Sequence, residues 1–145
     1  MAATDGRSTD GRGTDGGGTK DGGLRVDLVS VEREIWSGRA REVVARTTEG
    51  DIGVLPGHAP LLGQLADGGT VRVLLAGGGE LVAAVHGGFL SVTDQGVTVL
   101  AEIAELAEDI DTGRAKAALE RARSGDDTAA LRRAEGRLRA AGQPA

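Results

Sequence analysis

The chain has 145 residues with a formal net charge of −5, and it contains no cysteine. The acidic balance argues against a nucleic-acid-binding protein, and without cysteine no disulfide, thiol nucleophile or thiolate metal site can form. No apolar run approaches the ~20 residues that a membrane-spanning helix needs, and the N-terminus lacks the apolar core of a signal peptide, so the composition predicts a cytoplasmic protein.

Residues 1–23 are predicted to be a disordered tail. Thr-Asp-Gly recurs at Thr4, Thr9 and Thr14, and no large apolar side chain lies between Met1 and Leu24. Ordering this segment would cost backbone entropy without burying apolar surface. We therefore expect the folded part of the chain to begin after the tail.

Alternating apolar and polar residues predict strand after strand between Leu24 and Leu100. Leu24, Val26 and Leu28 alternate with polar side chains, which is the period of a half-buried strand. Further strands are predicted at 34–36, 42–47, 51–55, 71–76, 81–85, 89–93 and 97–100. Turn signals separate these segments about every 8–12 residues, which is typical of a β-sandwich or flattened barrel rather than of βαβ units.

The pattern changes after Leu100 and predicts two helices. Asp111 is suited to cap a helix that runs to about Arg123, and Asp127 or Thr128 can cap a second one. Their apolar stripes consist of Ala115, Ala118, Leu119 and Ala122 in the first helix and Leu131, Ala134, Leu138 and Ala141 in the second. Since a buried alanine contributes about one methyl group, on the order of 0.8 kcal/mol, we expect a marginally stable hairpin that can detach.

Together these segments predict an α+β protein, with an N-terminal antiparallel β-sandwich followed by a C-terminal α-helical hairpin. The predicted sandwich domain covers residues 24–106, and the predicted hairpin domain covers residues 107–145. Because Trp36 and Phe89 are the two aromatic residues of the chain, the core must be built from Val, Leu, Ile and Ala.

A proline-containing corner within residues 49–65 is the most constrained stretch of the chain. Pro56 and Pro60 fix their own backbone and push the residue before each of them into an extended conformation, and Gly57 lies between them. This combination predicts one rigid corner between two extended segments. Such a corner either turns a strand over at the end of a sandwich or presents a surface.

Four sequence motifs follow one another along the chain. They are Gly50-Asp51-Ile52-Gly53-Val54-Leu55-Pro56-Gly57-His58-Ala59-Pro60-Leu61-Leu62, then Gly87-Gly88-Phe89, then Val97-Thr98-Val99-Leu100-Ala101, then Ile110-Asp111 with Arg114-Ala115. In this combination the chain closely resembles the epsilon subunits of bacterial F-type ATP synthases. The resemblance extends from Leu24 to about Arg139 and leaves out the tail.

The resemblance implies a non-catalytic rotor subunit, peripheral on the cytoplasmic face of the cell membrane and in contact with the membrane only through its complex. The implied partners are the gamma subunit and the c-ring, with the catalytic alpha and beta subunits reached by the hairpin. Glu49 and Asp51 would approach the c-ring. The corner side chains implied to lie toward gamma are Pro56, His58, Pro60 and Leu61.

The resemblance also implies a regulatory ATP site in the hairpin. The family motif Ile-Asp-x-x-Arg-Ala is present around Asp111 and Arg114, and Glu105 and Arg121 fall where relatives have nucleotide contacts. The basic pair that relatives carry late in the second helix is out of register here. The alternative interpretation of these side chains is a helix cap with solvated charges. No other cofactor is expected.

Groups suited to catalysis are sparse. The two histidines are His58 and His86, no Gly-x-Ser-x-Gly elbow accompanies them, and without cysteine they are a poor basis for a metal site. We expect no catalytic residue and no metal, and we expect His86 to be a turn residue at the end of an apolar strand. The alternatives to a rotor subunit are a stand-alone β-barrel that binds a small molecule, and a small hydrolase.

Overall fold

The computed structural model describes residues 23–143, so nearly all of the predicted tail lies outside the described residues. Seven strands come first, followed by a short 3-10 helix at Ala107–Asp109 and two α-helices. The strands are β1 (Leu24–Ser30), β2 (Glu34–Thr47), β3 (Gly50–Val54), β4 (Leu61–Gln64), β5 (Asp67–Leu75), β6 (Glu80–Thr93) and β7 (Gly96–Leu106), and the helices are α1 (Thr112–Ser124) and α2 (Thr128–Ala140).

The strands form one sheet that closes on itself as a flattened sandwich. Its order is β1-β7-β6-β5-β2-β3, with β4 paired to β6 and with β1 also paired to β2. All pairings between the strands are antiparallel except that of β1 with β7, which is parallel. The predicted sandwich is therefore confirmed, with one parallel pair that the sequence pattern did not indicate.

The core between the two layers is aliphatic, as expected. Its largest fully buried side chains are those of Leu28, Leu65, Leu90, Val26, Val43, Val54, Val71, Val73, Val85, Val97 and Val99. Trp36 packs against the edge of this cluster and is only partly buried. Phe89 points away from the core and is half exposed.

Three strands, β2, β5 and β6, are longer than predicted, because glycines that resemble turn signals lie inside them. In β6, Val85 and Leu90 both face the core although they are an odd number of positions apart. Gly87 and Gly88 lie between them with φ values of 78° and 111°. This irregular backbone reverses which alternate residues of β6 face the core. A Cβ atom on Gly88 would lie 2.1 Å from the Leu100 carbonyl oxygen, so only glycine fits here.

The prediction that His86 is a turn residue is wrong. His86 lies inside β6, pairs with Ile103 of β7, and is only 2% exposed. The segments predicted at 34–36 and 42–47 likewise form the single strand β2, in which Gly38 leaves room for the Trp36 ring. Two further differences are β4, which was not predicted, and β7, which continues through the acidic residues up to Leu106.

Both helices begin where the sequence predicts. The Asp111 carboxylate accepts a hydrogen bond from the Arg114 backbone N–H at 3.0 Å, and the Asp127 carboxylate accepts one from the Ala130 N–H at 3.0 Å. These side chains supply acceptors for first-turn amides that have no partner within the helix. Among residues 23–143, no helix is both long and apolar enough to cross a membrane.

The predicted apolar stripes bring α1 and α2 together. Ala115, Leu119, Ala134 and Leu138 are buried between the helices, and Ala118 and Leu131 pack beside them. This cluster is separate from the aliphatic core of the sheet. The helix α2 packs on β5 and β6, with its backbone at Gly136 directly against Gly68.

Candidate functional site

The proline-containing corner lies on the surface between β3 and β4. Pro56 and Pro60 are exposed, and Gly57 has a φ of 85° that favours glycine. The His58 backbone N–H donates to the Leu55 carbonyl at 3.0 Å, and the His58 Nδ1 atom lies 2.6 Å from the Ala59 oxygen. These two local contacts and the two prolines make the corner stiff.

A shallow groove of about 510 Å³ runs beside the β2–β3 turn and β4. It is lined by Thr47, Thr48, Glu49, Gly50, Asp51, Ile52, Leu61, Leu62, Gly63, Gln64 and Phe89. The structure thus brings together three of the predicted interface residues, Glu49, Asp51 and Leu61. The other three, which are in the corner, do not line the groove.

The two acidic side chains of the β2–β3 turn differ in their surroundings. The Asp51 carboxylate forms an exposed ion pair with Arg46, with Nε and Oδ1 2.7 Å apart. Glu49 is exposed, and its backbone N–H donates to the Thr47 hydroxyl at 3.1 Å, which holds the turn. Glu49 is therefore the carboxylate more available to a partner.

A surface patch of large apolar side chains, the outer patch, covers the sheet next to this groove. Leu62 on β4, Phe89 on β6 and Leu100 on β7 are 72%, 51% and 44% exposed. Phe89 pairs directly with Leu100, and β4 is the neighbour of β6 on the other side. Such a contiguous apolar patch on a folded chain is typical of an interaction surface.

Sequence reasoning did not assign Phe89 and Leu100 to an interface. The signal was available in the alternation along 89–93 and 97–100. Because Leu90 and Val99 face the core, their neighbours Phe89 and Leu100 must point outward.

The residues predicted for a nucleotide site divide into two groups. Asp111 and Arg114 lie together at the start of α1, where the Asp111 side chain is engaged in the helix cap. Arg114 and Arg121 are exposed on α1. Glu105 lies near the end of β7, and its carboxylate is bonded to Arg137 of α2.

A network of charged groups lies where α2 covers the sheet, and we call it the joint network. Its members are Asp67, His86, Glu105, Arg133, Arg137 and Arg139. The His86 Nε2 atom is 3.5 Å from the Glu105 carboxylate, and Nδ1 is 3.9 Å from that of Asp67. Arg139 donates to the Gly68 carbonyl at 2.9 Å.

The joint network holds Glu105 in its ionised form. The His86 ring, and then the Arg137 guanidinium, lower the pKa of the Glu105 carboxyl to about 2, although partial burial opposes this. Among residues 23–143, no cluster of three or more His, Cys, Asp or Glu side chains has an arrangement that could hold a metal ion. The ion pairs of Arg133 and Arg137 with carboxylates of the sheet, and the hydrogen bond of Arg139 to Gly68, join α2 to the sheet.

Comparison with known proteins gives consistent matches. Residues 23–107 match the family model described as "ATP synthase, Delta/Epsilon chain, beta-sandwich domain". The ATP synthase epsilon chain of Rhodococcus opacus (strain B4) is 61% identical over 117 residues, which is 81% of this chain and 94% of that protein. The epsilon chain of Streptomyces griseus is 58% identical over the same shares of both chains.

The solved structures that resemble this chain are also from ATP synthases. A chain in the mitochondrial ATP synthase of Euglena gracilis is 29% identical, with a TM-score of 0.65, over 87% of this chain and 83% of that one. A chain in the central stalk and c-ring structure of the Tetrahymena thermophila enzyme is 16% identical, with a TM-score of 0.50 over 64% of this chain and 69% of that one. The second match supports the fold alone.

Proposed function

Because this chain belongs to the family of ATP synthase epsilon chains, we propose that it couples the c-ring to the gamma subunit. The chain is a non-catalytic rotor subunit of the central stalk, and the chemistry of ATP synthesis belongs to other subunits. This assignment disfavours a stand-alone small-molecule-binding protein. We propose that the subunit lies on the cytoplasmic face of the membrane, which is the position that the resemblance to bacterial epsilon subunits implies.

The observation that carries the proposed contact with gamma is the outer patch beside the proline-containing corner. Leu62, Phe89 and Leu100 leave a large apolar area open to solvent, and burying it in an interface is favourable. The corner extends this surface through Pro56, His58 and Pro60. Since the patch lies on paired strands, it presents a rigid surface, as a torque-bearing contact requires.

We propose that the c-ring contact is made at the β2–β3 turn. Glu49 is exposed there, whereas Asp51 is paired with Arg46. A carboxylate at the rim of an interface contributes to specificity and to the rate of association more than to affinity. Glu49 is therefore expected to select polar or basic loops on its partner.

We propose that the hairpin is the regulatory part and reaches the catalytic alpha and beta subunits. Arg114 and Arg121 are exposed on α1 and are available to a nucleotide phosphate. Glu105 is already bonded to Arg137, so it can contact a nucleotide only if this ion pair opens. Regulatory ATP binding would thus compete with the docked position of α2.

Reconstitution of the ATP synthase with variants of this chain tests the gamma contact. Phe89→Asp places a charge in the centre of the outer patch without touching the core, and Gln95→Asp adds the same charge at an exposed turn. We expect Phe89→Asp to weaken incorporation into the complex and to lower proton-driven ATP synthesis, while Gln95→Asp behaves like the unmodified chain. Normal incorporation of Phe89→Asp would contradict the assigned surface, and normal coupling without the chain would contradict the function.

A further inference from the structure

The joint between α2 and the sheet brings together two oppositely charged parts of the chain. Residues 112–140, which contain both helices, include eight arginine and lysine residues and four aspartate and glutamate residues. Residues 24–106, which contain the sheet, include six basic and eleven acidic residues. The helical hairpin therefore has a positive net charge and the sheet a negative one, so the two parts attract each other as α2 approaches the sheet.

Two arginines of α2, Arg133 and Arg137, are four residues apart and therefore lie on the same face of the helix. The Arg133 Nη1 atom lies 3.8 Å from the Asp67 carboxylate of β5. Arg137 is bonded to the Glu105 carboxylate of β7. The strand β6 runs between these carboxylates, since it pairs with β5 and with β7. Ion pairs on both sides of β6 thus fix the position and the orientation of α2 on the sheet.

The apolar and backbone contacts of the joint provide close approach more than orientation. The apolar cluster of α1 and α2 is separate from the aliphatic core of the sheet. At the centre of the joint, the backbone of Gly136 lies against that of Gly68, and glycine has no side chain that could interlock with a neighbour. The ion pairs beside these glycines therefore have a large share in holding α2 on the sheet.

The side chains of these ion pairs are partly buried. Those of Asp67 and Arg133 are 33% and 32% exposed, and those of Glu105 and Arg137 are 33% and 26% exposed. Ion pairs that are fully exposed to water contribute little, and deeply buried ones are shielded from salt. At this intermediate exposure the charges attract each other more strongly than freely exposed ones do, and dissolved ions can still reach them.

We propose that the pairs Asp67–Arg133 and Glu105–Arg137 form an electrostatic clamp, which holds the helical hairpin on the sheet and opens when its charges are screened or removed. This property belongs to the isolated chain and does not depend on the proposed assembly. The clamp requires opposite charges at these two pairs of positions, whereas docking through apolar contacts would not depend on them. The docked hairpin should therefore respond to ionic strength.

Fluorescence energy transfer on the full chain can measure docking at a constant pH. The chain has no cysteine, so uncharged dyes can be attached through Gln95→Cys in the β6–β7 turn and Ala117→Cys on α1, both of which are exposed and uncharged positions. As NaCl rises from ~10 mM to ~1 M, the Debye length falls from about 30 Å to about 3 Å. We expect the transfer efficiency to move toward the value that Arg137→Glu gives at low salt.

Charge reversal tests the pairing itself. Arg137→Glu and Glu105→Arg each place like charges together, so each alone should weaken docking. The double variant restores opposite charges and should recover docking, with a coupling of about 2- to 150-fold in the docking equilibrium constant. Glu80→Gln is the matched control for Glu105→Gln, because both remove one negative charge from the sheet, but Glu80 pairs with Arg72 of β5. Only Glu105→Gln should weaken docking and reduce its dependence on salt.

Four outcomes would overturn the clamp. They are a transfer efficiency that does not depend on salt, unchanged docking in Arg137→Glu, no recovery in the double variant, and equal effects of Glu105→Gln and Glu80→Gln. If a reversal at this pair prevents folding, as judged by circular dichroism, the same cycle is measured at the other pair with Asp67→Arg and Arg133→Glu. The absence of coupling there would refute the proposal.

Discussion

Replacing Gly136 by alanine provides a direct test of how α2 meets the sheet. In an isolated helix this change is stabilising by about 1 kcal/mol, because glycine is a poor helix former. Here the new methyl group would lie 2.3 Å from the Gly68 carbonyl oxygen, which is backbone and cannot rotate away. Overpacking of this kind typically costs about 1–3 kcal/mol, so docking of α2 should weaken by roughly 5- to 150-fold.

The assay is hydrogen exchange of the α2 amides, compared with the amides of β5 and β6. Gly113→Ala is the matched control, because this glycine is in the first turn of α1 and its added methyl would meet only ordinary contacts. We expect the control to protect or leave unchanged the α2 amides, and Gly136→Ala to expose them. If both variants slow exchange in α2 alike, the close approach of helix and sheet is not a feature of the protein in solution.

Three other substitutions are expected to change the stability of the protein in a direction that the structure predicts. Leu138→Ala removes a fully buried side chain from the hairpin cluster and should cost about 2–5 kcal/mol, seen as loss of helical circular dichroism at lower urea while Trp36 fluorescence still reports a folded sheet. Asp127→Ala removes the cap of α2 and should lower helix stability by about 0.5–2 kcal/mol, whereas an unchanged urea midpoint would show that the cap is dispensable. Glu105 has its pKa lowered to about 2, so its stabilisation is complete above its ordinary value of 4.5 and is lost as the pH falls toward 2; Glu105→Gln should flatten the acid unfolding curve in that range, and an unaltered curve would contradict the ion pair with Arg137.

The local signals in the sequence were sufficient for the helices and the core. Asp111 caps α1 as predicted, and of the two candidates predicted for α2 the structure has Asp127, because a side-chain cap acts over three residues and can be recognised from them alone. The aliphatic core followed from composition, since Trp36 and Phe89 left no aromatic alternative.

The errors came from features that depend on distant partners. Gly87 and Gly88 indicate a turn when taken alone, but they allow β6 to change phase while it stays paired to β7. For the same reason His86 was assigned to a turn, although Asp67, Glu105 and α2 enclose it. Contacts between residues so far apart in the chain leave no periodic pattern in any single segment.

The strand β1 sets the order in which the fold can be completed. It pairs with β2 on one side and with β7 on the other. The second edge of β1, near the start of the folded part, can therefore pair only after residues 97–101 have been made. Non-local pairing of this kind slows folding, because the intervening loop must be closed first. A nascent chain on the ribosome therefore has an unpaired edge on β1 until β7 has emerged. A fragment that ends before β7 would keep this unpaired edge and is expected to aggregate. In the full chain, β7 pairs with β1 before either helix has left the exit tunnel.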